Sequence, residues 1–443
     1  MSFEWLPFTD VLSAIVDNRG RTCPVGASGI PLIATNCIDP SNLYPRYDTS
    51  RFVSDETYKT WFRGHPMPGD ILFVCKGSPG RTNWVPDPVN FCIAQDMVSV
   101  RANPSKIYPK YLFAALRSSV VQAQIDNMHV GTMIPHFKKG DFGKLNIPVP
   151  PSFDQQVIGD FYFSISERIT LLHETNATLE AIAQALFKSW FVDFDPVRAK
   201  SEGKLPEGMD ETTAALFPDT FEETELGMVP KGWQVVKISD SVLVTDYVAN
   251  GSFASLKENV TLLDEPSYAL YVRTTDFNSG FKGDFRYVDE RAYKFLSKSA
   301  LDGSEVIISN VGDVGTVFTP PSWLGLRMTL GSNAIALKAP QMSSYLYFHF
   351  TSNKGQHDIQ SIVTGSAQLK FNKTNFRDLK ILIPNVPVQA NFEAVAGDLL
   401  LRCQMNKAQI KCLTDLRDAL LPRLISGQLR IADAEAELEK VTA

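Results

Sequence analysis

GTMIPHFKKGDFGKLNIPVP (131–150) returns as GSAQLKFNKTNFRDLKILIP (365–384), 234 residues later and without a gap. Gly131, Phe137, Lys139, Phe142, Leu145, Ile147 and Pro150 recur as Gly365, Phe371, Lys373, Phe376, Leu379, Ile381 and Pro384. The offset continues downstream, where Gln155 meets Gln389, Leu179 meets Leu413, and Ala185-Leu186 meets Ala419-Leu420. Upstream, GDILFV (69–74) meets GSEVII (303–308), and Trp5 loosely matches Trp233. Solenoid units run to ~20–50 residues and need several copies. Two long copies imply instead a duplicated domain with internal pseudo-twofold symmetry.

Downstream of each repeated segment the apolar period becomes helical. Ile158, Phe161, Ile165, Leu172, Leu179, Ile182 and Leu186 fall at 3-4 spacing, as do Phe392, Val395, Leu399, Leu413, Leu416, Leu420 and Leu424. Each stretch predicts a helix of about 34 residues, roughly 50 Å long. A lone helix of that kind would leave its stripe in water, so an antiparallel, coiled-coil-like pair is expected. Polar residues interrupt both stripes near the middle, at Arg168 and Thr175 in one and Arg402 and Asn406 in the other.

The remaining sequence reads as two mixed heads. ILFVC (71–75), VIISN (306–310), AIALK (334–338), LNIPVP and LKILIP are short apolar runs bounded by Gly or Pro, hence strands. YPKYLFAALRSS (108–119) and SSYLYFHFTSNKG (343–355) read as short helices. The expected class is α+β, two similar mixed α/β domains separated by a pair of long antiparallel helices. The expected boundaries are a first head at 1–150, a first long helix at 151–195 and an acidic surface linker at 196–232. A second head at 233–385, a second long helix at 386–430 and a tail at 431–443 follow.

The formal net charge is -6, but it is unevenly spread. Residues 1–150 carry 15 basic and 12 acidic side chains, and residues 233–385 carry 15 and 14. Residues 151–232 carry 6 and 15, so the acidity sits in one connector. Two mildly basic heads around an acidic segment fit heads that meet DNA and a spacer that meets something else. Glu4 and Asp10 stand where a secretion signal would be basic and then apolar, and no run of 18 uncharged apolar residues predicts a membrane span. The six scattered cysteines have neither zinc-ligand nor disulfide-framework spacing, and read as reduced thiols.

Catalytic signatures are missing. VPPSF (149–153) and TPPSW (319–323) lack the acidic or amide residue of an amino-methyltransferase loop, and GRTCPVG (20–26) lacks the lysine of a phosphate loop. PDTFEETE (218–225) is acidic without the lysine of a metal nuclease, and the six histidines form no relay or ligand spacing.

Reading duplex DNA needs side chains that reach base edges and others that grip phosphates. The polar residues beside the repeated glycine are candidates: Thr132, His136, Lys138 and Lys139 in the first head, and Ser366, Gln368, Lys370, Asn372 and Lys373 in the second. The glycine-bearing loops GRTCP (20–24), with Arg19 just before it, KGSPGRTN (76–83) and SNVGDVGT (309–316) add Arg19, Arg21, Lys76, Arg81 and Asn310. Since the shared scaffold differs at Met133-Ile134-Pro135-His136 against Ala367-Gln368-Leu369-Lys370, the two heads should read different sequences. Phe187, Trp190, Phe191 and Phe194 have more apolar surface than a two-helix seam covers, so they are expected to dock a methylating partner, with folding back on a head as the alternative.

LFKSWFVDFDPVRAKSEGKLPEGM (186–209), ELGMVPKGW (225–233), LRDALLPRLISGQLRI (416–431) and the twice-used Gly-Ser/Thr…Ile-Pro segment together resemble the specificity subunits of type I restriction-modification systems. The resemblance implies that each head is a target-recognition domain for one half of a bipartite, asymmetric site in double-stranded DNA. It also implies two methyltransferase subunits that bind S-adenosylmethionine and methylate adenine, and restriction subunits using ATP and magnesium. On that reading the chain holds no cofactor or metal, is not itself an enzyme, and works in the prokaryotic cytoplasm. A scaffold that binds only proteins is the alternative, and a fused methyltransferase a second.

Overall fold

A fully buried strand organises each half of the chain. The computed structural model describes residues 3–18, 22–47, 50–128 and 134–429. The chain divides into two units: Met1–His173 with Gln409–Ala443, and Glu174–Ala408.

The first unit contains β1 (Glu4–Pro7), β2 (Leu12–Asp17), β3 (Ile30–Ile33), β4 (Phe52–Val53), α1 (Asp55–Thr60), β5 (Ile71–Val74), β6 (Thr82–Trp84), β7 (Cys92–Ile93) and β8 (Met97–Ala102). It continues through α2 (Pro109–Arg117), α3 (Ser119–Met128) and β9 (Asn146–Val149) into the long helix α4 (Ser152–Phe191). An antiparallel sheet runs β2-β8-β5-β6. All four residues of β5 are buried because both faces of this sheet are covered. Ile71 and Phe73 point into a core with Phe8, Phe113 and Phe142, whereas Leu72 and Val74 face Ile33, Phe91 and Ile93. A smaller sheet, β4-β3-β7, includes a parallel β3–β7 pair. Strands β1 and β9 pair antiparallel, so the chain enters and leaves the head side by side.

The second unit follows the same plan. After α5 (Asp195–Ser201), α6 (Glu211–Ala215), β10 (Phe221–Thr224) and β11 (Gly227–Pro230), its head begins at β12 (Gln234–Lys237), α7 (Ile238–Ser241) and β13 (Leu243–Asp246). Then come α8 (Phe253–Asn259), β14 (Ala269–Val272), α9 (Thr274–Asn278), β15 (Tyr287–Val288), α10 (Glu290–Phe295), β16 (Ala300–Leu301) and β17 (Val306–Ser309). The head closes with β18 (Val317–Phe318), β19 (Met328–Leu330), β20 (Ala334–Lys338), α11 (Ser343–Thr351), α12 (Asn353–Ser361), α13 (Lys373–Arg377) and β21 (Lys380–Ile383), before α14 (Val386–Ile425). Order β13-β20-β17-β18 reproduces β2-β8-β5-β6, and β12–β21 reproduces β1–β9. The smaller sheet β15-β14-β19-β16 gains an edge strand but keeps the central parallel pair. Val306 and Ile308 face one core and Ile307 the other, the alternation seen in β5. Tyr111 Oη donates to Pro148 O at 2.7 Å, and Tyr345 Oη likewise donates to Leu382 O.

The two 40-residue helices pair antiparallel within each unit. In the first, Ile158, Tyr162 and Phe163 pack with Leu420, Leu421 and Leu424, and the Arg417 guanidinium lies 5.5 Å from the Tyr162 ring. In the second, Phe187 meets Phe392 at 6.0 Å, while Asn406 Nδ2 donates to Asn176 Oδ1 at 2.8 Å. Cys403 Sγ donates to Asn176 O, so a buried polar layer crosses the seam. Asn406 thus takes the seam position read from the sequence. Arg168 and Arg402 instead face solvent, the latter bound to Asp398, and Ile182 and Val395 are exposed. Small Ala183 and Ala396 occupy the seam, where close helix approach favours them over bulkier neighbours.

Residues 196–232, expected as an acidic surface linker, carry secondary structure of their own. They form α5, α6 and the β10–β11 hairpin, anchored by buried Val197, Ala214, Phe217 and Val229. The partner-docking assignment of Phe187, Trp190, Phe191 and Phe194 is also corrected, because these rings belong to the core of their own unit. Phe191 meets Trp233, Tyr345 and Phe392 at 5.7, 5.0 and 4.9 Å, and Trp190 meets Phe217 edge-on at 5.1 Å. Phe194, held at φ 57 before α5, packs between Phe221 and Trp233. Burying this apolar area against the head outweighs leaving it for a partner. The tail at 431–443 lies outside the described residues.

Replacing Phe191 with Ala should therefore cost about 3–5 kcal/mol of stability in denaturant unfolding; unchanged stability with impaired complex assembly would restore the docking role. Burial in α11, reinforced by Lys354, pushes the His349 imidazole down to about 4 from its ordinary 6.5. Asp358 Oδ2 lies 4.0 Å away, outside hydrogen-bond reach, and Lys354 approaches the same oxygen at 3.5 Å, so burial decides. The folded state thus takes up this proton later than the unfolded chain, and the stabilisation it gives is complete above pH 6.5 and lost as the pH falls towards 4. His349→Leu should flatten the decline of the urea midpoint across that window, whereas an undiminished slope would mean that another group titrates there.

Candidate nucleic-acid interface

The turn leaving β5 carries two glycines with left-handed backbone, Gly77 (φ 92) and Gly80 (φ 87). The turn leaving β17 carries the equivalent pair, Gly312 (φ 82) and Gly315 (φ 93). Positive φ at two points folds each strand end into a compact loop. The backbone is clipped identically in both heads: Gly80 N donates to Val74 O and Gly315 N to Ser309 O, each at 3.0 Å.

A second clip joins this loop to the repeated segment around Phe137 or Phe371. Gly77 N donates to Pro135 O at 2.9 Å and Phe137 N to Cys75 O at 2.8 Å. In the second head Gly312 N donates to Leu369 O at 3.0 Å and Phe371 N to Asn310 O at 3.1 Å. Lys76 therefore pairs across with His136, and Val311 with Lys370. A glutamine from α3 or α12 secures each glycine loop: Gln122 Nε2 donates to Gly80 O at 3.0 Å, and Gln356 Nε2 to Gly315 O at 2.9 Å. Buried Phe137 and Phe371 pin the segments to the head.

Several residues proposed from sequence are thus neighbours. Lys76, His136, Lys138 and Lys139 share one edge of the first head, with exposed Arg81 at the loop's far end. Asn310, Ser366, Gln368, Lys370, Asn372 and Lys373 gather in the second. Arg19, Arg21 and Thr132 lie outside the described residues. Two of the lysines are already paired: Lys139 with Asp17 at the end of β2, and Lys373 with Asp246 at the end of β13, the latter at 2.8 Å. They tie the segment to the sheet. Asn372 caps α13 by accepting from Asn375 N at 2.7 Å, which engages its side chain locally.

The second head shows how the tip is shaped. Thr364 and Lys370 exchange backbone hydrogen bonds at 2.8 and 2.9 Å, closing a loop whose residues 365–369 are exposed. Gly365 has φ 97, and a Cβ there would sit 2.4 Å from Gln368 O, so only glycine fits. Asp313 beside this loop accepts from Asn278 at 3.0 Å and Thr316 at 2.8 Å, which holds its carboxyl below the usual range. The first head has Ser78 at the corresponding place in its loop, next to Lys76. One scaffold thus carries two chemistries.

Sequence reasoning missed the two clamping glutamines, although Gln122 and Gln356 obey the 234-residue offset. It also missed Asp17 and Asp246, which lie outside that offset because the heads differ in length between β2 and β5 and between β13 and β17.

With this geometry in view, the comparisons with known proteins are direct. The family described as the type I restriction modification DNA specificity domain matches residues 33–181 and again 230–391, and the chain belongs to it. It is accordingly a DNA-specificity subunit of a type I restriction-modification system. It is 26% identical over 411 residues to the type I restriction enzyme HindI specificity subunit of Haemophilus influenzae, covering 82% of this chain and 86% of that one. With the MjaIX specificity subunit of Methanocaldococcus jannaschii it shares 22% over 357 residues, 78% of this chain and 76% of the relative. A type I S subunit crystal structure from M. genitalium superposes with a TM-score of 0.52 at 15% identity over 95% of this chain and 96% of that one, a likeness of fold. The protein-only scaffold finds no support in these matches. No helix among the described residues is long and apolar enough to cross a membrane.

Gly365→Ala should cost about 1–3 kcal/mol locally through backbone strain. Hydrogen exchange would report it as faster exchange at the Thr364 and Lys370 amides; unchanged protection would show that the loop accommodates a Cβ.

Proposed function

We propose that each head grips one half of a bipartite, asymmetric site in double-stranded DNA through its glycine loop and the segment clipped to it. The observation that carries this reading is the same pair of backbone clips in both heads, holding different side chains: Ile134, Pro135 and His136 against Gln368, Leu369 and Lys370. Base edges are read by the exposed tips, while Lys76, Arg81, Lys138 and Lys370 grip phosphates, with Arg19, Arg21, Thr132 and Ser366 as further contacts. The paired long helices set the spacer between the half-sites. The chain contributes recognition and no chemistry. Two adenine methyltransferase subunits using S-adenosylmethionine and restriction subunits using ATP and magnesium bind it, in the prokaryotic cytoplasm.

Replacing residues 1–150 with the first head of another family member should change one half of the methylated motif and leave the other half intact. A change in both halves would break the assignment of one head to one half-site.

A further inference from the structure

The duplicated clip allows the two tips to be compared position by position. Gln368 and Ile134 are related by the 234-residue offset, and each immediately precedes the residue whose carbonyl accepts from the glycine loop, Leu369 or Pro135. Their backbones are therefore anchored one residue away in the same manner, which limits the motion of the side chain that projects. Both side chains are exposed, Ile134 by 57%. Each is thus open to a surface that meets the tip.

The neighbouring positions are less suited to reading bases. Lys373 is held by Asp246, Asn372 caps α13, and Ala367 has no polar group. Lys370 is fixed by its backbone pairing with Thr364, and its flexible ammonium suits phosphate. Gln368 differs in carrying a donor and an acceptor on one planar amide, the pattern that matches adenine N6 and N7 in the major groove. No described hydrogen bond to another part of the chain engages that amide. Ile134 offers only methyl groups, whose favourable partner on a base edge is the thymine C5-methyl.

We infer that this matched position discriminates bases in each head: Gln368 takes an adenine in one half-site, and Ile134 packs on a thymine methyl in the other. The assignment rests on the recognition surface described under the proposed function. It explains why one scaffold can read two sequences by exchanging a side chain without disturbing the clip.

Long-read mapping of methylated adenines in the native host, with the full chain and its own partner subunits, tests it. Q368A should relax one A·T position of one half-site by roughly ten-fold or more, the range of a bidentate pair. I134A should relax one position of the other half-site, and neither should alter the remaining motif. Continued methylation at relaxed sites certifies that the variants fold and assemble. A motif unchanged in both variants overturns the inference. Replacing Ser366–Leu369 with Gly-Ser-Gly-Ser separates the two levels: an altered motif there beside unaltered Q368A and I134A maps removes only the residue assignment, while an unaltered motif removes the recognition surface itself.

Discussion

A 40-residue helix with one apolar stripe, roughly 60 Å long, cannot remain in water alone, and this chain carries two of them. Each unit holds part of both. The first pairs the start of α4 with the end of α14, the second the end of α4 with the start of α14. Every other feature of the units is arranged around that pairing. The aromatic end of α4 becomes core for the second head, and Leu420, Leu421 and Leu424 of α14 become core for the first. The Asn176–Asn406 bond within the seam is the kind of buried polar pair that favours one register over its neighbours, since slippage would leave both amides unsatisfied.

Duplication also organises recognition. In both heads an apolar strand buried on two faces ends in a glycine loop. That loop accepts a hydrogen bond from a glutamine on α3 or α12 and gives one to the segment whose side chains differ between the heads. Rigid backbone beneath exchangeable side chains lets contacts vary at little cost to folding. The Lys139–Asp17 and Lys373–Asp246 pairs add a second tie between that segment and the central sheet. Part of the positive charge within that segment is thus spent on holding the segment in place.

Much of this was legible in the amino-acid sequence, for identifiable reasons. The repeat is ungapped from the tip through the long helices, so a single offset exposes it. The strands at 71–74 and 306–309 announce themselves by the apolar runs ILFV and VII, and the helices by 3-4 spacing. What escaped was tertiary. Periodicity ranks Ile182 above Ala183, but close helix packing selects the alanine. The segment 196–232 looks like a solvated linker because its acidic surface hides four buried anchors. Phe187, Trp190 and Phe191 looked like a docking surface because their partners, Phe217, Trp233 and Tyr345, are distant in sequence. Among the candidate DNA contacts, proximity to the repeated glycine picked residues that the fold brings together, but could not tell Lys138 from Lys139 and Lys373, which are already paired.

The most direct test of the central claim, that one duplicated chain supplies two different readers, is a genome-wide map of methylated adenines in the native host with this gene intact and disrupted. The account predicts that disruption erases one asymmetric motif of two short, unlike parts around a fixed gap. A continuous or palindromic motif, or a methylation pattern indifferent to the gene, would contradict it.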